Sequence, residues 1–209
     1  MLVARPAILI LEYKTTGLPF RINARQNMKF TFALGYALLL ILSSESLLGQ
    51  DSWKIDSTQI VFHISNAGFE VAGTISGVAG EIKFSKNKLD QSYFRATAKS
   101  ETIKTGNRLR DKHLKKADYF DVEKYPTIRV ETNNIIPSKD GFTAHAVITI
   151  KGVTKNIDIP FGFKQTKDGA EFKGSFSLNR LDFGVGGKSF ILSDTVRIDI
   201  WIGASLVNN

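Results

Sequence analysis

Residues 142–163, FTAHAVITIKGVTKNIDIPFGF, decide the fold, because apolar and polar side chains alternate on both sides of a tight Lys151-Gly152 return. One phase before the return is wholly apolar and holds Phe142, Ala144, Ala146, Ile148 and Ile150. The apolar phase after it holds Ile157, Ile159, Phe161 and Phe163. A period of two places successive side chains on opposite faces of a strand. The stretch therefore predicts a β-hairpin with one apolar face.

The same period of two recurs in most of the chain from Trp53 onward. It predicts further strands around residues 60–64, 69–76, 78–84, 94–98, 128–130, 172–178 and 196–202. Turn residues, such as those at 167–169, separate several of these segments. Gly73 and Gly80 fall inside predicted strands, which is typical of bends or bulges where a sheet curls. The pattern therefore predicts eight or nine strands, each with one apolar face.

These strands predict an all-β protein that closes into an antiparallel barrel, since closure buries every apolar face and removes exposed edges. A β-sandwich is the second architecture that the pattern allows. A barrel of about eight strands either fills with its own side chains or holds one slender ligand. The pattern leaves this choice open, because small residues on the inward phase could interlock with large ones or leave an apolar tunnel. These small residues are Gly73, Gly80, Ala96, Ala98, Ala144, Ala146 and Gly174.

Residues 105–126, TGNRLRDKHLKKADYFDVEKYP, form the one segment with helical character in this part of the chain. They predict a short lid helix near residues 107–117, with Asn107 as its N-cap. Leu109, His113 and Ala117 recur four apart, so we expect them to share the face that turns toward the barrel. The other face is basic and carries Arg108, Lys112, Lys115 and Lys116.

The N-terminal part of the chain is predicted to lie outside the barrel domain, which takes in residues 50–209. Met28 and Lys29 precede residues 30–42, whose only polar member is Thr31. This is typical of a secretory signal peptide at 28–49, cleaved near Gly49, with an uncleaved membrane anchor as the alternative. Residues 1–27 lack periodicity and are interpreted as an extension from a start codon assigned too early. The predicted location is the periplasm or the cell exterior.

The net charge of +8 does not predict nucleic-acid binding. Residues 1–49 carry five basic and two acidic side chains, which leaves 23 basic against 18 acidic from residue 50 onward, a net charge of +5. The lysines are interspersed with acids instead of forming a continuous stripe, which is typical of a solvated surface. This mild excess still permits transient contact with anionic lipid surfaces.

Nothing in the sequence predicts catalysis or a metal site. The chain has no cysteine, which excludes disulfides, thiol catalysis and cysteine-based zinc sites. His63, His113 and His145 have no second ligand at metal-binding spacing, and we expect His63 and His145 to be solvated on outward strand faces. No G-x-S-x-G motif is present. The glycines at 184–187 lack the strand-to-helix context of a phosphate loop and predict a mobile loop at the barrel rim.

Four motifs resemble those of the YceI-like family of bacterial periplasmic proteins. The first runs from RDKHL at 110–114 through ADYFDV at 117–122 to KYP at 124–126, and the others are KGVTK at 151–155, NRLDFGVG at 179–186 and LSDTVRI at 192–198. The similarity spans residues 53–206. It implies a lipocalin-like, eight-stranded antiparallel barrel, with the helix near one end, whose lumen holds a long polyisoprenoid or related amphiphile. It also implies binding with transport or storage, and no enzymatic activity.

Strand phase supplies a candidate lumen lining of Phe62, Ile64, Phe69, Val71, Phe94, Ile128, Val130, Phe142, Ile148, Ile159, Phe161, Phe176, Phe183 and Ile200. Arg110 and His113 are candidates for the tunnel mouth, where they would contact a ligand head group. A purely structural, hydrogen-bonded His113 is the alternative. The expected ligand is an isoprenoid lipid or quinone-like amphiphile, with no cofactor. The alternative function is a filled barrel that acts as a stress-related interaction protein. The oligomeric state is left open, with a homodimer among the candidates.

Overall fold

The computed structural model describes residues 51–207, with residue 133 described by its backbone alone. The predicted N-terminal extension at 1–27 and signal peptide at 28–49 lie outside the described residues. Among the described residues, none of the helices combines the length and the apolar character that crossing a bilayer requires.

Nine strands and one short α-helix make up the described part of the chain. The strands are β1 (Ser52–Asn66), β2 (Phe69–Ile75), β3 (Ala79–Lys83), β4 (Tyr93–Lys99), β5 (Thr127–Ser138), β6 (Gly141–Ile150), β7 (Val153–Gln165), β8 (Ala170–Asn179) and β9 (Leu192–Leu206). The helix α1 is Arg108–Leu114, and single 3₁₀ turns lie at Leu89–Gln91, Ser100–Thr102 and Arg180–Phe183.

The strands close into an eight-membered antiparallel ring. Each strand from β3 to β9 pairs with the next, and β9 pairs with β1. The short strands β2 and β3 share one edge of β1, because β2 pairs with residues 60–66 and β3 with Ser52 and Trp53. When β2 and β3 are counted as one interrupted strand, the barrel has eight strands. The predicted closed eight-stranded barrel is therefore confirmed. A β-sandwich is excluded.

The hairpin predicted at residues 142–163 forms between β6 and β7, and its turn explains the Lys151-Gly152 pair. Both residues have positive φ angles, 50° and 77°, which suits a two-residue turn between twisted strands. Ile150 pairs with Val153 across it. A Cβ atom at position 152 would lie 2.7 Å from the Tyr125 ring, so glycine is required there for space as well as for conformation.

The predicted lid helix exists but is shorter than expected. The Asn107 side chain accepts hydrogen bonds from the backbone N–H groups of Leu109 and Arg110, so the predicted N-cap is confirmed. The helix ends at Leu114 instead of residue 117, because the following residues fold into consecutive turns in which Phe120 N–H donates to the Leu114 carbonyl. Ala117 therefore lies beyond the helix and is exposed.

Strand β5 is much longer than the sequence pattern predicted. A β-bulge between Thr132 and Asn134 shifts its register against β6. An extra residue in a strand exchanges the inward and outward phases beyond it. Ile135 is consequently buried inside the barrel, whereas Ile136 faces outward and is half-exposed. The simple alternation that marks residues 128–130 is lost at this point, and for this reason the sequence pattern predicts only the first part of the strand.

An aromatic cluster fills one end of the barrel. Phe84 is fully buried at its centre and lies within 6 Å of five other phenylalanine rings. These five rings belong to Phe94, Phe142, Phe161, Phe163 and Phe172. Trp53 packs edge-on against the cluster and donates its Nε1–H to the Phe84 carbonyl at 2.9 Å. This end of the barrel has a solid core.

We expect Phe84→Ala to lower the free energy of unfolding by about 3–5 kcal/mol, because the neighbouring rings cannot collapse into the vacated volume. Urea denaturation of the variant measures the change. Phe190→Ala is the matched control, since Phe190 is fully exposed and its loss should change stability by less than about 0.5 kcal/mol. Equal effects of the two substitutions would contradict the assignment of Phe84 to the core.

Candidate ligand-binding site

The other end of the barrel is hollow. A cavity of about 770 Å³ extends from the aromatic cluster to the end of the barrel where α1 lies. Phe94, Phe161 and Phe172 belong to both the cluster and the cavity lining, so they form the floor. The volume lies within the range that small-molecule sites usually occupy. The structure therefore answers the question that the sequence left open: the interior is filled at one end and empty at the other.

Small side chains create much of this space. Ala96, Ala98, Ala144 and Gly174 all line the cavity. Gly73 has a different role, because a Cβ there would lie 2.1 Å from the tip of the Phe62 ring. Phe62 therefore packs directly over the β2 backbone. Some inward small residues thus interlock with large ones, whereas others leave room for a ligand.

Twelve of the fourteen residues predicted from strand phase line this cavity. They are Phe62, Ile64, Val71, Phe94, Ile128, Val130, Ile148, Ile159, Phe161, Phe176, Phe183 and Ile200. Their side chains come together around one apolar space, although their role in binding a ligand stays a prediction.

Phe69 and Phe142 do not line the cavity. Phe69 has the same strand phase as Val71 and Ile75, which do line it, but it lies at the tip of the β1–β2 hairpin and is 78% exposed. Phe142 belongs to the aromatic cluster, where its ring stacks on Phe161 with centroids 5.5 Å apart. Both residues have the inward strand phase, but phase does not give a residue's position along the barrel axis.

The cavity also has lining residues that the sequence prediction left out. Ile60, Ile198 and Ile202 lie on apolar strand phases and could have been found from the same alternation. Leu109, Lys188 and Ile191 lie in the helix and the rim loop, where no period of two exists to mark them. Strand alternation therefore predicts the lining residues of the cavity walls better than those of its mouth.

The predicted mouth residues Arg110 and His113 both line the cavity. Arg110 donates from Nε to the Thr105 hydroxyl at 2.7 Å and from Nη2 to the Thr105 carbonyl at 3.0 Å. Among the described residues, its Nη1 group and the His113 ring have no hydrogen-bond partner. Asp111 accepts from both the hydroxyl and the N–H of Thr105, at 2.6 and 2.8 Å. Thr105 thus holds the start of the lid and orients Arg110.

The pKa of the Asp111 carboxyl lies below its ordinary value of 3.8, mainly because the Thr105 hydroxyl donates to it. A second hydrogen bond from the Thr105 N–H and the charges of Arg110 and Lys115 lower this pKa further, against some desolvation. Since the folded-state pKa is lowered, the stabilisation is present above pH 3.8 and is lost as the pH falls through the lowered pKa.

We expect Thr105→Val to raise the pKa of Asp111 toward 3.8, because the substitution removes the hydroxyl donor. NMR titration of the carboxyl carbons measures the pKa of Asp111 in the variant and in the unmodified chain. Asp199 is an internal control, since its lowered pKa is caused chiefly by the Ser175 hydroxyl and should not move. An unchanged Asp111 pKa in the variant would show that Thr105 is not the cause.

Arg180 fastens the rim loop that follows β8. It is buried, and its five N–H donors, at 2.8 to 3.4 Å, go to the carbonyl oxygens of Val185, Gly187, Leu192 and Ser193 and to the carboxylate of Asp194. A guanidinium has only five N–H donors, so none remains for a ligand. Lys151 adds a further hydrogen bond from Nζ to the Gly184 carbonyl at 2.7 Å. The glycines at 184–187, predicted as a mobile loop, are therefore tied to the barrel.

We expect Arg180→Lys to lower the free energy of unfolding by at least about 2 kcal/mol, because an ammonium has three donors and leaves buried carbonyl groups unpaired. Urea denaturation measures the change. Arg197→Lys is the matched control, because Arg197 is exposed and contacts only Asp199 among the described residues. Equal shifts for both variants would contradict the role given to Arg180.

His63 lies on an outward strand face as predicted, but its side chain is only 18% exposed and has two carboxylate partners instead of being freely solvated. Its Nδ1 lies 3.1 Å from Glu70 Oε1 and its Nε2 lies 3.1 Å from Asp199 Oδ2, because β2 and β9 flank β1 on the outer surface. His145 is more exposed but also has a partner, with Nδ1 2.6 Å from Asp158 Oδ1 across β6 and β7. Even so, within residues 51–207 no group of three or more His, Cys, Asp or Glu residues could hold a metal ion.

The fold and the cavity define a class: closed antiparallel β-barrels with an apolar internal site. A family model described as the YceI-like domain matches residues 53–204. The chain therefore belongs to the YceI-like family, and the resemblance seen in its motifs is confirmed. A UPF0312 protein of Pseudomonas putida strain KT2440 is 28% identical over 191 residues, which cover 83% of this chain and 95% of that protein. A UPF0312 protein of Pseudomonas savastanoi pv. phaseolicola is 32% identical over 148 residues, covering 66% and 76%.

Solved structures share the architecture. BcnA of Burkholderia cenocepacia superposes with a TM-score of 0.69 at 20% identity, covering 73% of this chain and all of BcnA. A polyisoprenoid binding domain from Saccharophagus degradans superposes with a TM-score of 0.60 at 11% identity, covering 76% of this chain and 99% of that domain. At these identities the likeness concerns the fold alone.

Proposed function

We propose that this chain is a periplasmic or secreted lipid-binding protein that carries or stores a long isoprenoid-type amphiphile. The hydrocarbon tail lies in the barrel cavity and the polar head group stays at the mouth. An isoprenoid lipid or a quinone-like amphiphile has this form. The protein binds its ligand without chemical change and needs no cofactor. The observation that carries the proposal is the apolar cavity, closed at one end by the aromatic cluster.

The composition of the cavity wall supports a hydrocarbon ligand. Isoleucine, valine, leucine and phenylalanine side chains supply most of the lining between the floor and the rim. Each methylene-sized unit that leaves water contributes about 0.8 kcal/mol, so a dozen units contribute roughly 10 kcal/mol before ordering costs. Burial of the tail therefore supplies the affinity, and shape limits the cross-section of the chain that can enter.

The polar groups at the mouth support an amphiphile over a pure hydrocarbon. The Nη1 group of Arg110 and the His113 ring are hydrogen-bonding groups at the rim without partners among residues 51–207. Thr105 holds the Arg110 side chain on its other side, so its position is fixed before a ligand arrives. A head group with oxygen acceptors suits this pair. These contacts orient the ligand with its tail inward.

A filled barrel that acts as a stress-related interaction protein is the alternative function. The aromatic cluster fits that description, but only for one end of the barrel. The cavity beside it favours a ligand-binding role, as does the polyisoprenoid-binding neighbour among the solved structures.

Native mass spectrometry of the purified full chain tests the proposal, and we expect a co-purifying hydrophobic mass. Ile60→Trp should weaken binding of added geranylgeraniol, an isoprenoid alcohol, because Ile60 lines the cavity and the larger ring occupies space for the tail. Displacing two methylene-sized units costs about 1.6 kcal/mol, which is about a tenfold loss of affinity.

Val61→Trp is the matched control, since Val61 lies on the same strand with its side chain on the outer face. It should bind the alcohol like the unmodified chain. If the chain yields no lipid on extraction and does not bind the alcohol, the carrier role is contradicted and the filled-barrel interaction protein is favoured. Equal losses in both variants would place the ligand elsewhere.

A further inference from the structure

We propose that the open end of the barrel docks on the surface of an anionic phospholipid bilayer, with the cavity mouth toward the lipid. The contact surface, here named the docking rim, consists of Phe69, Leu109, Lys112, Lys188, Phe190 and Ile191. This inference rests on the proposed function only for its purpose, which is to pass an isoprenoid tail between membrane and cavity.

The docking rim holds the most exposed large apolar side chains in the described part of the chain. Phe190 is 110% exposed relative to a reference residue, Phe69 78%, Leu109 67% and Ile191 62%. The other four exposed large apolar residues between 51 and 207 range only from 36% to 44%. Singly exposed apolar residues are ordinary, but a group around one opening marks an interaction surface.

These side chains belong to one edge of the barrel, although they come from three segments. The Ala67 N–H at the β1–β2 hairpin tip donates to the Ile191 carbonyl at 2.7 Å, which joins the hairpin to the rim loop. Leu109, Lys188 and Ile191 all line the same cavity. Phe69 follows the hairpin tip directly and has the inward phase of its strand. The helix, the hairpin and the loop thus surround one mouth.

The segments that carry the docking rim have an excess of positive charge, since the neighbouring carboxylates Glu70 and Asp194 are paired with His63 and Arg180, and this excess favours an anionic partner surface. Residues 104–116 carry six basic side chains and one acidic side chain, Asp111, whose carboxylate accepts two hydrogen bonds from Thr105. Residues 184–191 add Lys188 without an acid, and residues 66–69 are uncharged. Clustered basic residues beside exposed apolar ones are what interfacial binding to anionic lipid requires.

Docking solves a physical problem for a carrier of long hydrocarbon chains. A tail that enters from bulk water must first leave its membrane, at the full cost of hydrating its apolar surface. With the mouth against the bilayer, each part of the tail moves from one apolar environment into another. The exposed aromatic rings of the docking rim then enter the interface instead of remaining in water.

Site-resolved fluorescence tests the orientation in the full chain. Phe190→Trp and Val207→Trp each add one tryptophan to the two native ones, at the mouth and at the filled end respectively. With vesicles of brominated phosphatidylglycerol, we expect strong quenching of the tryptophan at 190 and little at 207. Equal quenching at both positions, or none at 190, would overturn the proposal.

Vesicle sedimentation tests the energetics. Phe69→Ser combined with Phe190→Ser should weaken binding to phosphatidylglycerol vesicles by about tenfold or more, because two exposed apolar side chains are lost from the interface. The matched control combines Leu206→Ser with Val207→Ser at the filled end and should bind like the unmodified chain. All variants retain the apolar residues 30–42, which could bind lipid themselves. A difference in vesicle binding between the variants is therefore caused by the docking rim. Equal loss in both pairs would contradict the inference.

The same variants separate this inference from the proposed function. The Phe69 and Phe190 double variant should keep its affinity for geranylgeraniol in detergent-free solution, since neither side chain lines the cavity. Lost vesicle binding with retained alcohol binding supports docking. Vesicle binding that needs none of the rim residues overturns docking and leaves the carrier role intact. Vesicle binding through the rim without alcohol binding overturns the carrier role alone.

Discussion

The barrel interior is filled unevenly along its axis, and both the stable core and the ligand cavity follow from this. Seven aromatic side chains crowd one end, with Phe84 at their centre, and they form a core whose rings meet edge to face, tilted or stacked. At the opposite end, isoleucine, valine and alanine share the lining with a few phenylalanine rings, such as Phe62 and Phe176, and these leave a cavity between them. A closed barrel has a fixed circumference, so its walls cannot collapse to remove the space that small side chains leave. The cavity is therefore a consequence of where the aromatic residues lie along the axis, and the floor is as rigid as a protein core.

The sequence predicts the barrel well because period-two alternation reports directly on which face of a strand is buried. Phe62, Ile64 and Ile200 were assigned to the lumen for this reason, and they line the cavity. Alternation says nothing about axial position, so it could not separate Phe69 at the rim or Phe142 in the aromatic cluster from the true lining. It also fails at the β5 bulge, where one additional residue exchanges the two faces. The resemblance to the family added what the local patterns left open, namely the expectation that the barrel interior holds a ligand.

The mouth could not be predicted in the same detail, since its contacts join residues that have no periodic relation. Two arginines that look equivalent in the sequence have opposite roles there. Arg180 uses every donor on backbone carbonyls and one carboxylate, and so belongs to the framework of the rim. The Arg110 side chain hydrogen-bonds to Thr105, and its Nη1 group has no hydrogen-bond partner between residues 51 and 207. The sequence likewise gave no reason to expect that strand pairing would enclose His63 between two carboxylates.

The proposed carrier role requires that a hydrocarbon chain occupies the hollow end of the barrel. Intermolecular NOEs between isotope-labelled methyl groups and bound geranylgeraniol measure this most directly. We predict NOEs from the tail to Ile64, Ile128 and Ile200 in the cavity wall, with none to Ile135, which is buried in the core cluster at the filled end. NOEs confined to outward-facing residues, or their absence from all three cavity positions in a chain saturated with the alcohol, would contradict the account.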